Sequence, residues 1–242
     1  MVKIGIYGSR GRMGQAIAHA LADQNLVLAG GSDAGDDPLE LAKKSDVLVD
    51  FSAPVALGGN LDAAVAAKTP IVIGTTGLTE EHQSMIDEAA QSIAVLQAAN
   101  TSLGVTLLTA LVEQAAARLD EDWDVEILEL HHRHKVDAPS GTALALAAAA
   151  ARGRARSLPE VSRFDRFEND SPRDRGSIGF ASLRGGSAAG DHTVLLATEG
   201  ERIEITHRAE SRDIFARGAI KAALWLVRLS PGRYTMNDVL GL

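Results

Sequence analysis

Three histidines and a lysine fall within five residues, His131, His132, His134 and Lys135, and run straight into Asp137-Ala-Pro-Ser-Gly-Thr142. Imidazoles exchange protons near neutral pH, and a lysine ammonium is a strong point charge for carboxylates. The second half of the block reads as a helix start. Pro139 stiffens the approach, Ser140 or Thr142 supplies a cap, and the Ala-rich run 143–151 follows. The first amides of such a helix attract negative charge, so Gly141 and Thr142 are candidates to face a ligand carboxylate. Together the two halves suit a small carboxylated substrate that is protonated during reaction. Two other readings compete. A metal site from His131, His132 and His134 meets the difficulty that neighbouring histidines on an extended segment face opposite ways, with only His132 and His134 on one side, and Lys135 adds positive charge. A solvated basic loop without function is the other. The block is read as a catalytic or substrate-binding loop, with no metal expected.

A second candidate lies at the N-terminus. Gly8-Ser-Arg-Gly11-Arg-Met-Gly14 follows an apolar, β-branched run and opens a helical stretch. Glycines placed so allow a tight turn, close approach of backbone to phosphate, and close packing of helix on strand. The spacing is G-x-x-G-x-x-G, looser than G-x-G-x-x-G. Asp33 comes just after the second strand-like run, where an acid can bond ribose hydroxyls. It also repels a 2′-phosphate, which favours NADH; Arg10 and Arg12 could offset that repulsion and keep NADPH open. Gly74-Thr75-Thr76-Gly77 and Ala98-Ala99-Asn100-Thr101 each follow a further strand-like run and would lie where open α/β sheets bind ligands. Turn chemistry and helix capping explain those two segments equally well.

The elements that must carry these residues follow from periodicity. Val2–Tyr7, Leu26–Gly30, 46–51, 70–73 and 94–97 read as strands, alternating with helical stretches at Gln15–Asp23, Gly58–Ala67 and Glu80–Ser92. That alternation predicts a Rossmann-type, doubly wound parallel sheet over 1–101. Leu103–Leu119 is a long apolar helical stretch. After it Val125–Leu130, Ser177–Arg184, His192–Thr198 and Arg202–His207 read as strands of an open, largely antiparallel or mixed sheet. The chain is thus expected to be α/β followed by an α+β substrate-binding and oligomerisation domain over 102–212. A closing helix from Ile214 to Val227 would let 213–242 pack back on the first domain. Residues 151–176 mix Arg152, Arg154, Arg156, Arg163, Arg166, Arg173 and Arg175 with Glu160, Asp165, Glu168, Asp170 and Asp174. With two prolines, they read as a solvated surface loop.

Composition narrows the function. With 242 residues, 45% of them hydrophobic, the chain can build a real core. A net charge of −8 argues against a nucleic-acid binder. The absence of cysteine excludes thiol catalysis and Cys-ligated zinc. There is no signal-peptide pattern and no membrane-length apolar run, so a cytoplasmic protein is expected.

The run Glu129-Leu-His-His-Arg-His-Lys-Val-Asp-Ala-Pro-Ser-Gly-Thr-Ala143 resembles the signature of the 4-hydroxy-tetrahydrodipicolinate (dihydrodipicolinate) reductase family. Gly8–Gly14, Gly74–Gly77, Ala98–Asn100, Gly176–Phe180, Gly190–Thr193, Glu204–His207 and the tail 234–240 occur in the order found there, so the resemblance spans nearly the whole chain. It implies NAD(P)H-dependent reduction of a cyclic imine bearing two carboxylates and a hydroxyl, in the diaminopimelate route to lysine. By motif position, His131 would be the proton donor, supported by Lys135. His132, Gly141 and Thr142 would bind substrate. Gly8, Ser9, Arg10, Gly11, Arg12, Met13, Asp33, Gly74, Thr75, Thr76, Ala98, Ala99, Asn100 and Thr101 would contact the dinucleotide. The family is commonly a homotetramer associating through its second-domain sheets. Two positions depart: Thr101 stands where many relatives carry an aromatic, and Ala34 where many carry a base beside the ribose acid. Asp33 without that base points to NADH. Two rival functions are another two-domain NAD(P)-dependent oxidoreductase of an amino or imino acid, and a non-catalytic nucleotide sensor, which would tolerate loss of His131 or Lys135.

Overall fold

The computed structural model describes residues 1–24, 26–165 and 172–242. In chain order the elements are β1 (Lys3–Tyr7), α1 (Arg12–Asp23), β2 (Val27–Ser32), α2 (Pro38–Ala42), β3 (Val47–Asp50), a 3-10 turn (Pro54–Ala56), α3 (Leu57–Ala67), β4 (Ile71–Ile73), α4 (Glu80–Ala90), β5 (Ala94–Gln97) and α5 (Leu103–Arg118). They continue with β6 (Asp124–His131), α6 (Gly141–Gly153), α7 (Leu158–Val161), β7 (Ser162–Arg163), β8 (Ile178–Arg184), β9 (Gly190–Thr198), β10 (Glu201–Ala209), α8 (Asp213–Leu226), β11 (Gly232–Tyr234) and α9 (Met236–Leu240). The chain divides into two compact units, Met1–Leu103 with Asp213–Leu242, and Gly104–Arg212.

The first unit is a six-stranded parallel sheet in the order β11-β5-β4-β3-β1-β2. Its inner strands β1, β3, β4 and β5 are mostly apolar without alternation because both faces are covered. Ile4, Ile6, Val47 and Val49 pack on Ile17 and Leu21 of α1 and on Ala219, Ile220 and Ala223 of α8. Leu48, Ile71 and Ile73 pack on the opposite face with Leu41 of α2, Leu57 and Leu61 of α3, and Ile86 of α4. The order of strands reverses at β1, so the crevice for a ligand lies at the carboxyl ends of β1 and β3. Four short elements escaped the sequence reading. Helix α2 is a single capped turn, with Asp37 accepting from the Leu39 amide at 2.9 Å. Strand β11 is defined only by its pairing with Ala94–Leu96. The 3-10 turn and α9 are too short for a periodicity to register.

The second unit is a mixed sheet, β10-β9-β6-β8-β7, in which β6 runs parallel to β8 and antiparallel to β9. Along β6 the side chains alternate: Val125, Ile127, Glu129 and His131 are buried while Leu128 is exposed. Val125 and Ile127 pack under Leu108, Val112 and Ala116 of α5 and Leu146, Ala147 and Ala150 of α6. Glu129 and His131 continue that inward row, so the strand's period of two buries a carboxylate and an imidazole.

In the expected solvated loop 151–176, the described residues 151–165 and 172–176 are mostly exposed but include short regular elements. The N-terminal part completes α6, and α7 and β7 follow. Arg173 is a largely buried tie: it bonds Asp124 at 2.7 Å, Glu126 at 2.9 Å and the Val125 carbonyl at 3.0 Å. Arg152 pairs with Glu113 at 2.7 Å and Arg156 with Glu121 at 2.9 Å. These three arginines pair with acids 30 or more residues away, which no local pattern reveals, whereas Arg163 pairs with Asp174 within the stretch. Arg166, Glu168 and Asp170 lie outside the described residues. Among the described residues no helix is long and apolar enough to cross a membrane.

Candidate active site

In the first unit, Gly8–Gly14 links β1 to α1. Gly11 is the N-cap and offers no side-chain cap, so the first-turn amides of α1 have no partner from that residue. Gly14 is where backbone comes closest: a Cβ there would lie 2.3 Å from the Gly8 carbonyl oxygen and 2.6 Å from Ser9 Cα. Two clefts meet at this loop. One of about 470 Å³ is lined by Gly11, Arg12, Met13, Gly74, Thr75, Thr76, Ala99, Asn100 and Thr101, together with Phe51, Ser52 and Phe215. The other, about 490 Å³, is lined by Gly8, Gly11, Asp33, Ala34 and Phe51 among others. The glycine loop thus separates two pockets of ligand size, and the residues fit a dinucleotide laid across it with its phosphates at an uncapped helix start.

Asp33 reaches back to the loop. Its carboxylate accepts from Ser9 Oγ at 2.5 Å and from the Arg10 amide at 3.1 and 3.2 Å. Ribose hydroxyls would have to share that carboxylate. Thr101 is 2% exposed and donates to the Phe215 carbonyl at 2.7 Å. It shapes the wall rather than offering an aromatic face; the aromatics in the cleft are Phe51 and Phe215.

Asp50, inside the strand-like run 46–51 and the last residue of β3, organises the other two loops. It is fully buried, and its carboxylate accepts from the Ser52 amide at 2.8 Å, Ser52 Oγ at 2.6 Å, Asn60 Nδ2 at 3.0 Å and Thr75 Oγ1 at 3.0 Å. It couples the loop after β3 to the loop after β4. An acid ending a fully apolar run was the available signal.

In the second unit the histidine–lysine block divides between a buried and an open part. His131 ends β6, and its Nδ1 is hydrogen-bonded to Glu129 Oε2. Arg184 grips the same carboxylate with two bonds of 2.9 Å, and the Ser140 amide donates to it at 3.3 Å. Burial opposes ionisation of Glu129, but hydrogen bonds from Arg184, Ser182 and His131 outweigh it and hold the carboxyl below its usual range. Register explains the meeting: Glu129 lies opposite Ser182 on β8 and His192 on β9, and His131 opposite Arg184.

Ser140 is the N-cap of α6, its Oγ accepting from the Ala143 amide at 3.2 Å and sharing a hydrogen bond of 3.1 Å with His192 Nε2. Gly141 and Thr142 form the first turn. His192 stands edge-on to His131 with ring centroids 5.1 Å apart. Glu129, His131 and His192 each bring a possible ligand atom within 4.8 Å of the others. Arg184 and the Ser140 amide already satisfy the carboxylate, and a guanidinium beside it opposes a cation. This trio differs from the three histidines weighed in the sequence.

Lys135 lies on the turn after β6, with Nζ 2.8 Å from both oxygens of Asp137, which this contact holds below the usual carboxylate range. His132 shares a bond of 3.0 Å with Arg212, and its pKa is lowered by lost hydration and by the positive groups Arg212 and His134. His134 stands beside it, ring centroids 6.3 Å apart. Glu129, Arg184, His192 and Arg212 were not singled out by sequence as site residues. Glu129 opened the signature run, whereas the others lie 53 or more residues downstream of His131.

Burial, followed by the charge of His131, pushes the pKa of His192 down from 6.5 to about 4. The folded state therefore resists protonation that the unfolded chain accepts between those values. The associated stability is present above about pH 6.5 and is lost as pH falls toward 4, on the order of 3 kcal/mol for one such residue. Replacing His192 by asparagine is expected to flatten the acid arm of the stability curve by about one proton. Urea unfolding at several pH values measures this; an unchanged slope refutes it.

Two family models cover almost the entire chain: "Dihydrodipicolinate reductase, N-terminus" matches residues 2–101 and "Dihydrodipicolinate reductase, C-terminus" matches 104–240. The chain belongs to the dihydrodipicolinate reductase family. Within it, a relative from Zymomonas mobilis, named 4-hydroxy-tetrahydrodipicolinate reductase, is 58% identical over 100% of this chain and 98% of its own. One of the same name from Parvibaculum lavamentivorans is 47% identical over 100% and 98%. Among solved structures, a dipicolinate-bound dihydrodipicolinate reductase from Paenisporosarcina sp. TG-14 matches with a TM-score of 0.75 at 23% identity, covering 98% of both chains. That likeness shows the fold: a Rossmann-type parallel sheet plus a second, mixed-sheet unit. Reductases of this family depend on a pyridine nucleotide, in agreement with the two clefts at the glycine loop.

Proposed function

We infer that this chain reduces 4-hydroxy-tetrahydrodipicolinate to tetrahydrodipicolinate, with loss of water, as a pyridine-nucleotide-dependent oxidoreductase of the diaminopimelate route to lysine. The observation that carries the reading is the buried His131, held at Nδ1 by an ionised carboxylate beside the start of α6. That arrangement pairs a proton donor with an anion site, which a cyclic imine with two carboxylates requires.

The nucleotide supplies a hydride when bound. Gly8, Ser9, Arg10, Gly11, Arg12, Met13 and Asp33 hold its phosphates and adenosine side. Gly74, Thr75, Thr76 and the segment Ala98–Thr101 hold the nicotinamide side. In the second unit, the Gly141 and Thr142 amides and His132 bind one substrate carboxylate, and Lys135 binds the other. Negative charge moves toward the ring nitrogen as the conjugated imine is reduced, and His131 delivers the proton. NADH is preferred, because Asp33 repels a 2′-phosphate and Ala34 offers no base to receive it.

The exposed Leu128 and Leu183 lie on the side of the second sheet opposite the α5–α6 core. This open face is the seam of a homotetramer, and light scattering should give the mass of four 25.4-kDa chains. A monomer would remove this part of the reading. The function itself is tested by generating substrate from pyruvate and aspartate semialdehyde and following nucleotide absorbance. Oxidation of NADH faster than NADPH is expected. No oxidation of either would sink the assignment.

A further inference from the structure

His131 has two ring nitrogens with different surroundings. Nδ1 is tied to Glu129. Nε2 has no hydrogen bond among the described residues and faces the bare Cα of Gly190, where an added Cβ would lie 2.9 Å away. Glu129 is 2% exposed, and three further donors hold it: Arg184, the Ser140 amide and Ser182. A buried, ionised, immobilised carboxylate against one imidazole nitrogen dictates where the ring's proton sits.

We propose that Glu129, locked by Arg184, is a positioning residue that fixes the proton of His131 on Nδ1 and thereby reserves Nε2 for proton delivery to the ligand. The proposal rests on the reading of His131 as proton donor. Ionised Glu129 accepts only, so Nδ1 must donate to it in both the neutral and the charged ring. Gly190 keeps the Nε2 side clear, and Ser140 places the start of α6 on the same carboxylate.

The charge-neutral substitution Glu129→Gln separates this role from simple packing. Arg184 and the Ser140 amide would hold the new amide oxygen, turning its NH2 toward Nδ1. The neutral ring then carries its proton on Nε2, and the imidazolium form loses its acceptor. A mismatched carboxamide behind a catalytic imidazole costs orders of magnitude in turnover in the serine-protease triad. Here kcat is expected to fall about a hundredfold or more, with KM and NADH affinity nearly unchanged. Histidine 15N–1H correlation spectra should show Nδ1 protonated in the wild type and unprotonated in the variant. Glu129→Asp, which keeps the charge, should retain the wild-type tautomer and recover part of kcat. A folded Glu129→Gln protein with wild-type kcat, an unchanged tautomer, or a loss confined to KM overturns the proposal. If that variant does not fold, as its thermal midpoint reports, Arg184→Lys is decisive: a single ammonium cannot grip both oxygens, so kcat must fall at constant KM, and an unchanged kcat refutes the proposal. An inactive wild-type protein with Nδ1 protonated would defeat the reductase reading while leaving the positioning role standing.

Discussion

Lys135→Ala is expected to lower kcat by about a hundredfold or more while NADH affinity stays nearly intact. The lysine sits in the second unit on the turn after β6, whereas every residue assigned to the dinucleotide belongs to the first unit. Its ammonium is 2.8 Å from both oxygens of Asp137, whose side chain is 58% exposed. An exposed carboxylate is a weak competitor for a cation, so a substrate carboxylate can join or displace it. Removing the lysine does more than delete an attraction. It leaves the negative charge of Asp137 where the ligand's carboxylate is to sit, and like charges repel. The double variant Lys135→Ala/Asp137→Ala should therefore bind substrate better than Lys135→Ala alone. Steady-state kinetics give kcat and KM, and fluorescence titration gives the NADH dissociation constant. If NADH binding collapsed instead, Lys135 would belong to the nucleotide site.

Gly14→Ala should abolish measurable NADH binding and lower stability by roughly 1–3 kcal/mol, the usual range for overpacking a close-packed site. The added methyl would meet the Gly8 carbonyl oxygen at 2.3 Å and Ser9 Cα at 2.6 Å, both backbone atoms. Neither can rotate away, so the helix start must move off the loop. That separates the α1 amides from the turn that presents them to phosphate. Gly11→Ala is the control for stability alone, because its methyl would lie 3.2 Å from the same oxygen, a contact a small shift relieves, while Gly11 itself lines both clefts. Titration with NADH and thermal unfolding of both variants check this. Equal affinities for Gly14→Ala and wild type would show that the loop does not hold the nucleotide.

Much of the first unit was legible because a parallel sheet covered on both faces writes itself as short apolar runs separated by helical stretches. Val47–Asp50 and Ile71–Ile73 are such runs, and periodicity reads them directly. Short elements were not legible: β11 is three residues long and exists only through β5. In the charged stretch 151–176 the short α7 and β7 and the tie Arg173–Asp124 were not legible, because such ion pairs join residues far apart in sequence. A mixed-sign stretch reads the same whether its partners are water or a sheet edge.

The candidate site groups lie in local runs that the sequence states alone: glycines at 8, 11 and 14, histidines at 131, 132 and 134, Lys135, and a capped helix from Ser140. These are decided by neighbours within a few residues, through turn geometry, capping and charge. Tertiary structure decided which of these groups is poised and which is only near. Strand register brought Glu129, Ser182, Arg184 and His192 around His131, left Lys135 outside on Asp137, and put Asp50 behind two cleft loops. Pairing between strands tens of residues apart depends on packing across the whole sheet, and a one-residue slip would turn Glu129 and His131 to the opposite face.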